Sequence, residues 1–201
     1  MKLNDELFIL VNENNKLEDD YVPSTLVESD IAFEEYIECK QLDERTSNAA
    51  KEMFNAALND NVNLIAISGY RSYSVQENLY NSRVEVKGVE KTRQYTAEAG
   101  ASEHQTGLAI DIVCNDYPYL DEGFENTDAF KWLYNNCYKY GFILRYQKGK
   151  EDITGYNYEP WHFRYIGNAN IAKDIMDRGI CFEEFINEVN FQIEELKGVS
   201  N

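Results

Sequence analysis

The chain has 201 residues, enough for one domain with a real core, and its 43% hydrophobic content with 15 tyrosines excludes a disordered protein. Against 36 acidic side chains stand 19 basic ones, a net charge of −17 that sets the surface against nucleic acid and anionic membrane.

Residues 1–201 read as a single domain, with residues 1–40 as an N-terminal strand and loop packed on it. "LFILVN" is the strand and "EDDYVPSTLVESD" the surface loop. The apolar run Leu7 to Val11 is too short for a signal sequence or a bilayer span, so no membrane segment is expected. The expected compartment is the cytoplasm as the chain stands, or the cell envelope if an anchor has been removed. Cysteines at 39, 114, 137 and 181 lack metal-type spacing and read as reduced, mostly buried thiols, which leans the same way.

Helical spacing of Ala49, Ala50, Met53, Phe54, Ala57 and Leu58 predicts a helix from Asp43, its cap, to about Leu58. "NLIAISG" then reads as a buried strand ending at Gly69, and Ser74 with Glu77 as a capping box opening a second helix. "GLAIDIV" is strand-like with one charge, Asp111. Thr127 caps a helix carrying Phe130, Leu133, Tyr134, Cys137 and Tyr138, closed by Gly141. "FILRY" and "WHFRYIG" form a hairpin around a polar turn from Gly149 to Gly155. Helices follow from Ile171 to Arg178 and from Phe182 through Ile193. Strands and helices do not alternate strictly, so the fold class is α+β with a small, mainly antiparallel sheet flanked by helices.

Only two histidines occur, His104 in "SEHQTGLAID" and His162 in "EPWHF". Strand alternation puts Asp111 with Ala109 and Val113, opposite Leu108, Ile110 and Ile112. A carboxylate so placed needs a partner, since a buried unpaired charge is costly. Gly107 lets His104 fold back toward it, and His162 opens another strand. Two histidines and an aspartate with an open fourth position suit a catalytic zinc. Cys114, an odd number of positions from Asp111, falls in the core instead. Pro160 turns the chain so that Glu159 leans over the metal, where a carboxylate that is not a ligand can take a proton from an attacking water. Arg71, in "SGYRS" at a strand-to-helix junction, can fork onto a carboxylate or stabilise an oxyanion, and Gln76 lies a turn further on.

These motifs resemble the zinc D-alanyl-D-alanine carboxypeptidases of the VanY type, a group that includes VanX dipeptidases, bifunctional VanXY enzymes and the hedgehog-like metal fold. "SEHQTGLAID" meets S-x-H-x-x-G-x-A-x-D at every fixed position and "EPWHF" meets E-x-W-H. The likeness spans roughly residues 7 to 186. It implies that His104, Asp111 and His162 hold one Zn2+, that Glu159 is the catalytic base, and that Arg71 stabilises the substrate carbonyl or its oxyanion. Gln76 and Ser102 would help bind the peptide and its terminal carboxylate. The implied substrate is a peptidoglycan stem peptide or precursor ending in D-Ala-D-Ala, cut by a D,D-carboxypeptidase whose action would bear on vancomycin resistance or wall trimming. The alternatives are a D,D-dipeptidase or bifunctional enzyme, an L,D-carboxypeptidase, and a non-catalytic peptide- or metal-binding domain of the same fold.

Overall fold

The computed structural model describes residues 6–198. A small antiparallel ribbon pairs β1 (Leu26–Glu28) with β2 (Gln41–Asp43), which runs directly into α1 (Glu44–Asn59). After these come β3 (Ile65–Ser68), α2 (Tyr73–Lys87), α3 (Val89–Arg93), β4 (Ala109–Val113), α4 (Asp128–Asn136) and β5 (Phe142–Leu144). The chain ends with α5 (Glu151–Thr154), β6 (His162–Tyr165), α6 (Ala169–Arg178) and α7 (Phe182–Gly198). The central sheet has the order β3-β4-β6-β5 and every neighbouring pair is antiparallel. This is the α+β class that the sequence predicts.

Side-chain alternation divides the sheet. Ile110 and Ile112, Phe142 and Leu144, and Phe163 join Met53 and Phe54 of α1 and Phe130 and Leu133 of α4 in the main core. On the other face Ile143 meets Ile175 of α6 with Phe182 and Phe185 of α7 in a second core. The same alternation puts Asp111, His162, Arg164 and Arg145 on that second face, all buried. One face of the sheet is therefore greasy throughout, and the other is shared between a smaller core and a set of ionisable groups.

The caps are local chemistry. Asp43 accepts from the backbone N–H of Arg45 and Thr46 at the head of α1, and Thr127 from that of Phe130 in α4, as expected. For α2 the expectation fails: Ser72, not Ser74, caps the helix, accepting from Val75 N–H at 3.3 Å. The chain leaves β3 through Gly69 and Tyr70 and enters the helix two residues sooner than the Ser74 to Glu77 pattern suggests.

"LFILVN" is not a strand. Glu6–Phe8 form a 3-10 turn, and Leu7, Phe8 and Val11, spaced like one face of a helix, are all buried. Leu7 and Phe8 lie in the second core, where Phe8 meets Phe185 with ring centroids 6.1 Å apart. Leu108, which precedes β4, also joins the second core, and Val113 joins the main one, so both depart from the alternation expected of them. "FILRY" and "WHFRYIG" do pair, but α5 occupies the turn between them. Cys114, Cys137 and Cys181 are buried thiols and Cys39 is an exposed one.

Candidate metal centre and active site

β4 runs through the middle of the site. Its Asp111 is in register with Ser68 of β3 on one side and His162 of β6 on the other. Facing residues of adjacent antiparallel strands carry their side chains about 4.5–5.5 Å apart, so register alone brings Asp111 to His162. Beside it, the β3–β4 register slips between Ala66 and Ser68, a bulge of the kind that re-aims a chain next to an active site. His104 comes from the 3-10 turn Glu103–Thr106, which Gly107 reverses into β4 at φ 70°. The backbone N–H of Arg71 donates to His104 O at 3.1 Å, so the chain leaving the bulge is tied to that turn.

The ligand atoms of His104, Asp111 and His162 lie within 4.8 Å of one another, and all three residues are buried. His104 Nε2 is 3.2 Å from Asp111 Oδ2 and His162 Nδ1 is 3.1 Å from Asp111 Oδ1. The outer nitrogens decide the tautomers. His104 Nδ1 is 2.7 Å from Gly69 O, which can only accept, so the proton sits on Nδ1 and the Nε2 lone pair points inward. That Nε2 is buried without a hydrogen-bond partner. Burial, with the nearby Arg71 charge, pushes His104 down to about 4, which keeps it neutral. His162 Nε2 lies 3.3 Å from Glu103 Oε2 and Nδ1 faces Asp111. Although burial disfavours its charge, Asp111 and Glu103 hold His162 up to about 9, so a cation taken up here displaces the Nδ1 proton. An orphaned imidazole nitrogen, a second imidazole aimed at the same carboxylate, and acceptors holding both outer nitrogens make a donor set that fits zinc with one position open.

Glu159 reaches the site from a turn, its N–H donating to Tyr146 O and its carbonyl accepting from His162 N–H, both at 3.2 Å. Its Oε2 stands 3.9 Å from His162 Nδ1, beside the three grouped residues. Burial pushes this carboxyl up to about 8; Asp111 adds to the effect, and His162 and Arg71 oppose it. Arg71 Nη2 lies 3.7 Å from Asp111 Oδ2, and its Nε is buried without a partner. Gln76 does not turn its amide freely to the cavity: Oε1 accepts from Arg71 Nη1 at 3.0 Å and Nε2 donates to Ala97 O at 2.7 Å. Ser102 stands where the 3-10 turn begins. Arg71, Gln76, Ser102, His104, Asp111, Glu159 and His162 all line one cavity of about 550 Å³. The structure thus gathers every site residue predicted from the sequence.

Three groups escaped that prediction. Behind His162, the buried Arg145 and Arg164 each form an ion pair with the buried Glu103. Tyr146 and Tyr156 line the cavity, and Tyr146 packs on the His162 ring at 4.9 Å between centroids. Arg83, Lys87 and Lys91 form a cationic wall on α2 and α3, facing a cavity that also holds Asp121 and Glu122.

The sequence model of the family "VanY: D-alanyl-D-alanine carboxypeptidase" matches residues 39–168. The chain belongs to the VanY family of carboxypeptidases. It is 44% identical over 188 residues to the putative carboxypeptidase YodJ of Bacillus subtilis, covering 92% of this chain and 68% of that one. The solved LdcB LD-carboxypeptidase superposes with a TM-score of 0.82 at 44% identity, covering 90% of this chain and 86% of that one. A mutant of the vancomycin-resistance D,D-pentapeptidase VanY, from the VanB-type cassette and in complex with Zn(II), superposes at 0.74 with 32% identity, covering 90% and 99%. As a VanY-family member the chain is a peptidase with a D-Ala-D-Ala metallopeptidase-like fold. No helix among the described residues is long and apolar enough to cross a membrane.

Proposed function

We propose that the chain is a zinc-dependent D,D-carboxypeptidase that removes the terminal D-alanine from peptidoglycan stem peptides or precursors ending in D-Ala-D-Ala. His104, Asp111 and His162 hold the ion. The observation that carries this reading is the convergence of two imidazole nitrogens on one buried carboxylate, next to a buried glutamate that is not part of the set.

Zinc held there supplies a Lewis acid that polarises the scissile carbonyl and eases deprotonation of water. Glu159 takes the proton of the attacking water and passes it to the departing D-alanine amine. Its place in the cavity beside the three grouped residues lets it hold that proton between the two events. Arg71 donates to the carbonyl oxygen as negative charge grows, and Gln76 serves the substrate through Arg71 by fixing the guanidinium. Ser102, with the cationic wall of Arg83, Lys87 and Lys91, suits a peptide that ends in a free carboxylate, in a chain that is otherwise strongly acidic. The family match and the relative solved with Zn(II) support the same reading. Such an enzyme would reduce the D-Ala-D-Ala termini on which vancomycin acts, or trim the wall.

The likeness to LdcB, an LD-carboxypeptidase, favours a second reading in which the cut bond follows an L-centre. Mass spectrometry of an acyl pentapeptide ending in D-Ala-D-Ala and of the matching tetrapeptide separates the two. The pentapeptide is expected to lose one alanine. Loss from the tetrapeptide alone would replace the D,D reading with the L,D one, and no loss from either would overturn both.

A further inference from the structure

Behind the candidate metal centre lies a group of charges that the proposed chemistry does not use. Glu103 is completely buried, and its Oε1 accepts from Arg145 Nε at 2.7 Å and from Arg164 Nη1 at 2.8 Å. Arg145 then forks onto Glu183 of α7, with Nη1 and Nη2 at 2.8 and 2.7 Å from its two oxygens. Arg164 Nη2 donates to Leu7 O at 3.0 Å and Ile9 O at 2.9 Å, and Asn12 Nδ2 donates to Glu183 at 3.3 Å. Two carboxylates and two guanidiniums cancel, so the cluster is electrically complete without a histidine. Yet Glu103 Oε2 is left facing His162 Nε2 at 3.3 Å.

From this geometry we infer that Glu103 is the positioning residue of the metal centre: it accepts the Nε2 proton of His162, fixes the ring, and leaves Nδ1 to bind. A carboxylate behind a metal-bound histidine sets its tautomer and raises its basicity. Here the carboxylate is itself clamped from both ends of the chain. Leu7, Ile9 and Asn12 on one side and Glu183 on the other lie outside residues 39–168, the span matched by the family. Leu7, Ile9, Asn12 and Glu183 therefore hold a metal ligand in place through Arg164, Arg145 and Glu103, although those four residues do not line the cavity.

The inference rests on the metal-centre reading, and the test separates the two. With only two histidines, 15N-histidine labelling gives one resonance set per ring. In the zinc-loaded wild type, one ring is expected to carry its proton on Nδ1 (His104) and the other on Nε2 (His162). Zinc affinity, measured by chelator competition, is expected to fall about 10- to 100-fold in Glu103→Gln. Glu103→Asp keeps the charge between the arginines but shortens the reach to His162, so it is expected to fold and still lose affinity. Equal zinc affinity in the wild type and Glu103→Asp, or an Nδ1 proton on both rings of the wild type, would overturn the role of Glu103. Failure of the wild type to bind zinc would overturn the metal-centre reading, and with it this role.

Discussion

At the scale of single residues, Glu159 does the proposed proton transfer, and it is separable from the ligand set. Glu159→Gln keeps the size and loses the base, so it is expected to retain zinc while kcat falls about 10²- to 10⁴-fold. Chelator competition and an amine-release assay read the two quantities apart, and full activity in the zinc-bound variant would remove Glu159 from the mechanism. The residues that could be read in the sequence were those whose placement breaks a pattern. Asp111 stands out because a lone charge in an apolar strand demands a partner. Arg145 in "FILRY" and Arg164 in "HFRY" carry the same signal, and the same reasoning would have marked them as buried ion-pair partners. Glu103 could not be singled out that way. Its neighbours are polar and it occupies a variable place in its motif, so only the fold shows that it turns away from the solvent.

Among the elements, two devices set the geometry. The first is the Gly107 reversal, which carries φ 70° and where an added Cβ would stand 2.8 Å from Asp43 N. Gly107→Ala is expected to cost about 1–3 kcal/mol of stability from the backbone conformation alone, read as a lower midpoint in urea. Unchanged stability would mean that the turn does not need its glycine. The second is the start of α2, which carries Gln76. Ser72→Ala is expected to cost about 0.5–2 kcal/mol as a lost cap and Ser74→Ala less, and the reverse order would restore the cap predicted from the sequence. Strands with clean alternation and helices with clear caps were legible from sequence. Leu7 to Val11 was not, because a short apolar run fits a strand and a buried turn equally well and the choice rests on the α6 and α7 surface that receives it.

For the whole molecule, the surface carries far more acid than base, and its carboxylates decide how it responds to acid. Glu98, ion-paired with Lys16 and Arg93, is lowered to about 2 by those two hydrogen-bonded partners. An unfolded glutamate titrates near about 4.3. The stabilisation is therefore whole above that value and is lost as the pH falls toward about 2, where the folded group takes up its proton. Glu98→Gln is expected to flatten this part of the stability curve, and an unaltered slope would discount the pair. The central claim is that hydrolysis depends on an ion held by His104, Asp111 and His162. Its most direct test is to strip the protein with chelator, titrate zinc back, and follow alanine release from an acyl-D-Ala-D-Ala peptide. Activity is expected to vanish on stripping and return to a plateau at about one equivalent of zinc per chain, whereas undiminished release from the stripped protein would contradict the account.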